Sequence, residues 1–324
     1  MRSDVTSQDE DLGSLRDRAA RALGGVDIGA LFTRWRRVIG PPPEQLSELA
    51  RQALDAIVGG EEPTPQQRQA LEQAIRLLRP APYVRHGALA PLEGDSATAF
   101  PGWEAFREAA RPYLPSVGRI DRVIRPGHNP EPVGTCFVVG PRCVLTNHHV
   151  LLALTFGTGV LARGQAEVRF GQERGDSPEP SPVRLVGVLR QDESLDLALL
   201  STARRLDTPS LDLRPITTVS VDPSRSTPVV AVGYPMGDTR LPELVAGLFD
   251  GVYQVKRASP GEVLSSRGGR FSHDCTTLSG SSGSPVLTMD GARLAGVHTD
   301  GLYLGRNHAT SGEPLRAFIG KPGP

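Results

Sequence analysis

Lysine is almost missing from this 324-residue chain: Lys256 and Lys321 are the only two, and arginine supplies the rest of the positive charge. Formal charge balances, 36 Lys+Arg against 36 Asp+Glu, and no long basic run interrupts it. Neither nucleic acid nor an anionic membrane is therefore implied as a partner. No stretch approaches the roughly 18 consecutive apolar residues of a membrane-spanning helix. The opening residues, Met1-Arg2-Ser3-Asp4-Val5, lack the apolar core of a secretory signal. Cysteine is scarce: Cys136, Cys143 and Cys275 form no even framework. Cys136 and Cys143 flank a short hairpin and could pair, but free thiols behaving as small apolar side chains are the expectation. No Cys/His spacing fits a zinc site, so neither metal nor cofactor is expected. A cytoplasmic setting is the expectation these absences support.

What the chain does have is two kinds of patterning. Ile28, Leu31, Phe32, Trp35, Val38 and Ile39 share one helical face, and so do Leu46, Leu49, Ala53, Leu54 and Ile57. Thr64-Pro65-Gln66-Gln67 reads as a helix start, with Thr64 as N-cap, Pro65 in the first turn and Gln67 closing a capping box. Leu71, Ala74, Ile75 and Leu78 continue that helix, and a weaker one runs near Leu12 to Leu23. Pro41-Pro42-Pro43 and Gly59-Gly60 separate these pieces. The spacing predicts three to four short helices over residues 1–80, packed on each other or on the C-terminal domain. Residues 81–116 read as a connector anchored by Trp103, Phe106 and Tyr113.

From residue 117 to 324 the pattern changes to short apolar or alternating runs divided by Gly/Pro turns. Runs near 117–124, 133–139, 142–147, 166–170, 183–189 and 196–201 precede others near 228–233, 251–257, 261–266, 284–289 and 292–299. Such spacing indicates an all-β barrel or sandwich. Glu173 to Pro182 reads as an exposed loop, Asp207 to Ser226 as the crossover between two halves, and Glu313 to Ile319 as a closing helix.

Chemistry concentrates in Leu278-Ser279-Gly280-Ser281-Ser282-Gly283-Ser284-Pro285. A serine hydroxyl is a poor nucleophile unless a base takes its proton and donors receive the developing charge. Gly280 and Gly283 free the backbone to bend, so the N–H groups of Gly280 and Ser282 can converge as an oxyanion hole. Upstream, an apolar strand runs into Thr146-Asn147-His148-His149, and Asp196 stands at the mouth of the apolar run Leu197–Leu200. Ser279, Ser281 and Ser284 read as turn hydroxyls bonded to local backbone.

GTCFVVG (134–140), LTNHHV (145–150), LDLALL (195–200), VGYP (232–235), DCTTLSGSSGSPV (274–286), GVHTDG (296–301) and NHAT (307–310) stand in one order. Together they resemble a bacterial trypsin-like peptidase of the chymotrypsin superfamily, close to its glutamyl endopeptidase branch. The order His, Asp, Ser is that of the chymotrypsin-type triad. The resemblance implies two six-stranded antiparallel β-barrels preceded by a small all-α region. The segment Arg79–Gly87, followed later by Val117-Gly118-Arg119-Ile120, resembles an extension that precedes the peptidase domain in some bacterial relatives, which implies docking of the connector on the first barrel. The family resemblance also implies catalytic roles for His149 as base, Asp196 as orienting acid and Ser282 as nucleophile. His148 is the alternative base, and Asp192 and Glu193 are the competing acids. Neighbours on a strand end point in opposite directions, which leaves one histidine of the pair for the serine.

The same resemblance places Thr276, Thr277, Ser279, His298 and Thr299 around the substrate pocket. An arginine-selecting pocket needs a carboxylate where Thr276 stands, so basic specificity is not expected. His298 matches the histidine that glutamyl endopeptidases use against an acidic side chain, and Thr277 matches a hydroxyl that helps it. Asp300, at the rim, works against an acidic substrate. Ser281 occupies the place where digestive relatives carry an aspartate that meets a newly cut N-terminus. A domain competent without such a cut is therefore expected.

Two readings of function emerge. One is an endopeptidase acting on protein or peptide substrates through an acyl-enzyme, with its helices recruiting or sensing a protein partner. The other is a non-catalytic binding module on a protease fold.

Overall fold

Thr64 caps its helix as the local chemistry dictates. Its Oγ1 accepts the Gln67 N–H at 3.3 Å, and Gln67 Oε1 accepts the Thr64 N–H at 2.8 Å. The computed structural model describes residues 12–34, 43–124, 129–175, 180–207, 227–237, 243–301 and 306–320. Helices α1 (Leu12–Leu23), α2 (Ile28–Arg34), α3 (Pro43–Gly59) and α4 (Pro65–Leu77) come first. Trp35, Val38 and Ile39 lie outside the described residues, as does nearly all of the Asp207–Ser226 crossover. Leu15, Leu31, Phe32, Ala50, Ile57, Leu71 and Ile75 bury their side chains in one cluster. Leu248, Phe249 and Leu278 belong to the same cluster. The helices thus pack both on one another and on the C-terminal domain.

A small hairpin, β1 (Val84–Arg85) with β2 (Ala88–Leu89), and helices α5 (Gly94–Ala99) and α6 (Trp103–Ala110) come next. Trp103 and Phe106 are buried here and Tyr113 packs against them. Their cluster includes Phe137 and Leu145, and equally Val230, Tyr234, Leu287 and Val297. The connector therefore sits over the seam of both barrels, not on the first alone. Lys256 pins that seam. Its buried Nζ donates to the carbonyls of Leu114 at 2.8 Å and Phe170 at 3.0 Å, with Glu173 Oε1 3.5 Å away. Burial lowers its pKa to about 8. Glu173 also takes the Gly87 N–H at 2.8 Å. Contrary to its reading as the start of an exposed loop, it is a junction residue.

The first barrel contains β3 (Val117–Arg122), β4 (Glu131–Gly140), β5 (Cys143–Thr146), β6 (Ala166–Arg169), β7 (Val183–Asp192) and β8 (Leu197–Thr202). Helix α7 (His148–Leu154) lies between β5 and β6. The strands close in the order β3-β4-β5-β8-β7-β6. The second barrel contains β9 (Pro228–Gly233), β10 (Arg257–Arg267), β11 (Arg270–His273), β12 (Pro285–Thr288), β13 (Leu294–Gly301) and β14 (Asn307–Ser311). Helix α8 (Glu243–Leu248) precedes β10, α9 (Gly312–Gly320) comes after β14, and the closure is β10-β11-β14-β13-β12-β9. All pairings are antiparallel, and separate apolar clusters fill the two barrels: Ile120, Val138, Val168 and Leu200 in one, Val229, Ala231, Phe271 and Val286 in the other.

Two details depart from the sequence reading. The run near 251–257 is turn and irregular backbone up to its last residue; β10 starts at Arg257 and continues unbroken through Pro260-Gly261 into the run near 261–266. It pairs with β9 through Glu262 and with β11 from Val263 onward, so around Pro260 only one edge needs backbone donors. The short polar strands β11 and β14 complete the second barrel and carry no apolar run to announce them. All three cysteines are free, with Cys136 and Cys275 buried. No helix among the described residues is long and apolar enough to cross a membrane.

Candidate active site

Strand β5 delivers Asn147 and the two histidines to the seam. Both histidines open helix α7 instead of ending a strand, so they diverge by helical geometry. His149 is the one turned to the acid. Its Nδ1 lies 2.8 Å from Asp196 Oδ2, and its backbone N–H donates to Asp196 Oδ1 at 3.0 Å. Both carboxylate oxygens are thus occupied by one residue, which fixes the ring and leaves Nε2 toward the site. Asn147 Nδ2 holds the Asp196 carbonyl at 2.9 Å. Asp196 adopts φ 51°, a left-handed conformation a carboxylate residue tolerates at a cost. Asp192 instead closes the preceding turn, accepting from Ser194 Oγ at 2.7 Å and the Leu195 N–H at 3.0 Å. Glu193 is exposed.

Ser282 belongs to the second barrel, on the turn before β12. Gly280 at φ 84° and Gly283 at φ 86° bend this turn, and neither site has space for a side chain. A Cβ on Gly280 would meet the Tyr234 carbonyl at 2.6 Å, and one on Gly283 the Thr135 carbonyl at 2.0 Å. The Ser279 carbonyl accepts the Met236 N–H at 2.6 Å. A trans peptide directs its N–H opposite to its C=O, so the Gly280 N–H points away from Met236. Among the described residues neither the Gly280 nor the Ser282 N–H donates to a protein group. The Ser282 hydroxyl donates to the Thr299 carbonyl at 3.1 Å and makes no hydrogen bond with His149.

Thr135 on β4 stitches this turn to the first barrel. Its Oγ1 donates to the Gly280 carbonyl at 2.7 Å and accepts the Tyr234 N–H at 3.1 Å, while its N–H donates to the Ser282 carbonyl at 2.8 Å. Thr146 Oγ1 in turn holds the Thr135 carbonyl at 2.7 Å. Ser281 Oγ, as expected of a turn hydroxyl, accepts the Leu278 N–H at 3.3 Å. Ser284 corrects that expectation: its Oγ is buried and has no hydrogen-bond partner among the described residues.

The expected pocket residues are all near this turn, in differing states. His298 and Thr299 lie buried on β13, Thr276 is buried, Thr277 is half-buried, and Ser279 and Asp300 are exposed. Thr277 Oγ1 donates to Asn307 Oδ1 at 3.0 Å, so its proton is not free for a substrate carboxylate. Thr276 Oγ1 likewise donates to the Arg79 carbonyl at 2.7 Å. His298 Nδ1 lies 3.3 Å from His273 Nε2, and His273 Nδ1 accepts the Cys275 N–H at 3.3 Å. That acceptor role puts the His273 proton on Nε2, makes His298 Nδ1 an acceptor, and leaves the His298 Nε2–H as a donor. Burial, with His149 and His308 nearby, pushes the His298 pKa down to about 3, so the ring is neutral at neutral pH.

Sequence reasoning missed Thr135, Asn147, Met236, His273, Asn307 and Arg79 as parts of this site. Thr135 and Thr146 left one signal, hydroxyls inside otherwise apolar strands.

Two closed six-stranded antiparallel barrels define the chymotrypsin-like fold class. The chain belongs to the trypsin-like peptidase domain family, whose model matches residues 134–297. A search of curated protein sequences gives no match. Among solved structures, the chain is similar to the Rv3671c protease of M. tuberculosis H37Rv in its inactive form. That match has 19% identity over 66% of this chain and 93% of that one, with a TM-score of 0.43. It is also similar to the serine endoprotease from Yersinia pestis, at 17% identity over 64% of this chain and 62% of that one, with a TM-score of 0.42.

Proposed function

We propose that this peptidase is a serine endopeptidase working through an acyl-enzyme, with Ser282 as nucleophile, His149 as base and Asp196 as orienting acid. One observation supports the reading: the aspartate-bound imidazole of His149 precedes Val150, which packs near the Ser282 carbonyl, and the Ser282 turn has two N–H groups, Gly280 and Ser282, that donate to no described protein group. Rotation of the Ser282 hydroxyl away from the Thr299 carbonyl brings its proton to His149 Nε2 as its oxygen attacks the substrate carbonyl. The carbonyl oxygen takes the negative charge toward the two N–H groups. His149 then passes the proton to the leaving amine, and water, deprotonated by the same ring, releases the acyl group. With Ser281 uncharged and bound locally, no ammonium from a cut N-terminus is required.

For the residue preceding the cleaved bond we propose an acidic side chain, with carboxamides next. The support is the Nε2–H of His298 and the lack of a carboxylate at Thr276. The helical region would regulate or recruit through its contacts on the second barrel, and free thiols favour an intracellular setting.

Fluorophosphonate labelling of wild type and Ser282→Ala tests the nucleophile. Wild type labels and the variant does not, and peptide cleavage falls by about 10⁴ or more. Equal labelling of both would remove the assignment. A mixed peptide library read by mass spectrometry tests the pocket: cuts after Glu are expected, and cuts mainly after Arg or Lys would overturn it.

A further inference from the structure

Three arginines of the helical region converge on the segment that leads into the nucleophile turn. Arg79 Nη2 lies 2.7 Å and Arg18 Nη1 3.5 Å from Asp274 Oδ2. Arg76 Nη1 donates to the carbonyls of Asp274 at 2.8 Å and Cys275 at 2.9 Å. Thr276 returns a hydrogen bond to the Arg79 carbonyl at 2.7 Å. Arg18 also pairs with Glu72, which joins α1 to α4 around the same point. Each of Arg18, Arg76, Arg79 and Asp274 is at most 2% exposed.

The barrel holds the backbone of this segment: the Asp274 N–H donates to the Glu262 carbonyl at 3.1 Å and the Cys275 N–H to His273 Nδ1 at 3.3 Å. The Glu262 N–H donates to Asp274 Oδ1 at 2.7 Å, and Asn307 Nδ2 donates to the Cys275 carbonyl at 2.6 Å. Asp274 Oδ2, the Asp274 carbonyl and the Thr276 hydroxyl are met from the helical side. A buried carboxylate without its cations would be strongly unfavourable. Burial raises the Asp274 pKa, and Arg79, Arg18 and Arg76 outweigh it to leave a net lowering.

We propose that Arg79 is a positioning residue for the substrate pocket: by holding Asp274 and Thr276 it fixes the floor beside Ser282, so the docked helices are a working part of the peptidase and not a detachable recruiter. The proposal rests on the endopeptidase reading above. It has a direction, because loosening the helices weakens peptide turnover instead of releasing it.

The test uses the full-length chain with Arg79→Gln, Arg79→Lys and Thr276→Val, and Arg21→Ala as control. Arg21 ties α1 to Glu262 at 2.9 Å without touching Asp274. For the best library peptide, Arg79→Gln lowers kcat/KM by about tenfold, chiefly through KM. Fluorophosphonate labelling, which needs no pocket, slows by less than about threefold. Arg79→Lys restores part of the loss. Thr276→Val raises KM in the same direction, and it carries the test should Arg79→Gln not fold. Arg21→Ala lowers Tm and leaves kcat/KM in place. Folded Arg79→Gln or Thr276→Val chains with wild-type KM would overturn the proposal, as would an equal loss of kcat/KM per degree of Tm in Arg21→Ala. A wild-type chain that neither labels nor cleaves would remove the endopeptidase reading and this proposal together, whereas labelling and cleavage with unmoved variants would remove this proposal alone.

Discussion

His149 and His298 face the same serine turn from opposite barrels, and their surroundings differ. His149 is half-exposed and has a carboxylate behind it; His298 is buried and has a second imidazole behind it. Burial beside another ring favours the neutral imidazole at His298. The first barrel therefore presents an imidazole oriented by a carboxylate, and the second an imidazole held neutral. On the proposed endopeptidase reading one site needs both, because proton transfer and side-chain selection make opposite demands on a histidine.

The largest expected effect breaks the first half of that contrast. Asp196→Asn keeps the shape but offers an N–H where His149 Nδ1 donates, so the ring is driven toward the wrong tautomer. With Asp196 as orienting acid, kcat falls by roughly 10⁴ at neutral pH. Steady-state cleavage of a fixed peptide, with Tm measured in parallel, checks this. A loss under tenfold would mean that the hydrogen bonds to Asp196 are structural.

A smaller effect sharpens the second half. His298→Leu removes the pocket's neutral donor while leaving the His149–Asp196 pair untouched. For a peptide with Glu before the cleaved bond, kcat/KM falls by about 100-fold, with fluorophosphonate labelling changed little. Parallel losses in both assays would show that the two histidines do not act separately.

The two halves were also unequally legible in the sequence. His149, Asp196 and Ser282 each sit in a short local pattern, a strand running into a polar turn, an acid before an apolar run, a serine between glycines. Local patterns survive without knowledge of the fold. The partners that set their state are distant: Thr135 meets Gly280, and Arg79 meets Asp274, only after both barrels and the helices have closed. Arg76 left a faint trace as a charged residue within the buried stripe of α4, and a charge on a buried face asks for a partner. His273 left none, since a histidine in a short polar segment reads as surface until β11 is seen to line the barrel. Strand legibility divides in the same way. Long apolar runs such as Leu197–Leu200 announced themselves, while β14, Asn307 to Ser311, is defined by its neighbours β11 and β13.

The smallest effect concerns stability and separates the buried imidazoles from the buried carboxylate by pH. The folded pKa of His298, about 3, and that of His273, pushed well below 6.5 by burial, His298, Arg76 and His308, both lie under the unfolded value. Below pH 6.5 the unfolded chain binds protons that the folded chain refuses, so stability is full above that pH and declines as pH falls toward 3. Each ring contributes a slope of up to about 1.4 kcal/mol per pH unit within that window. Asp274 is lowered from 3.8, so its contribution is present above that value and lost only below it. Glu72, paired with Arg18, is likewise lowered, from 4.5, so loss of Tm between pH 6.5 and 4.5 belongs to the rings, and loss at lower pH adds the arginine-bound carboxylates. Thermal melts of wild type, His273→Gln and His298→Gln from pH 8 to 4 read the difference. The wild-type curve falls steeply below pH 6.5 and each glutamine variant flattens it, because glutamine has no proton to bind in the unfolded state. Three parallel curves would mean that the rings titrate alike in both states, and the neutral half of the histidine contrast would fail.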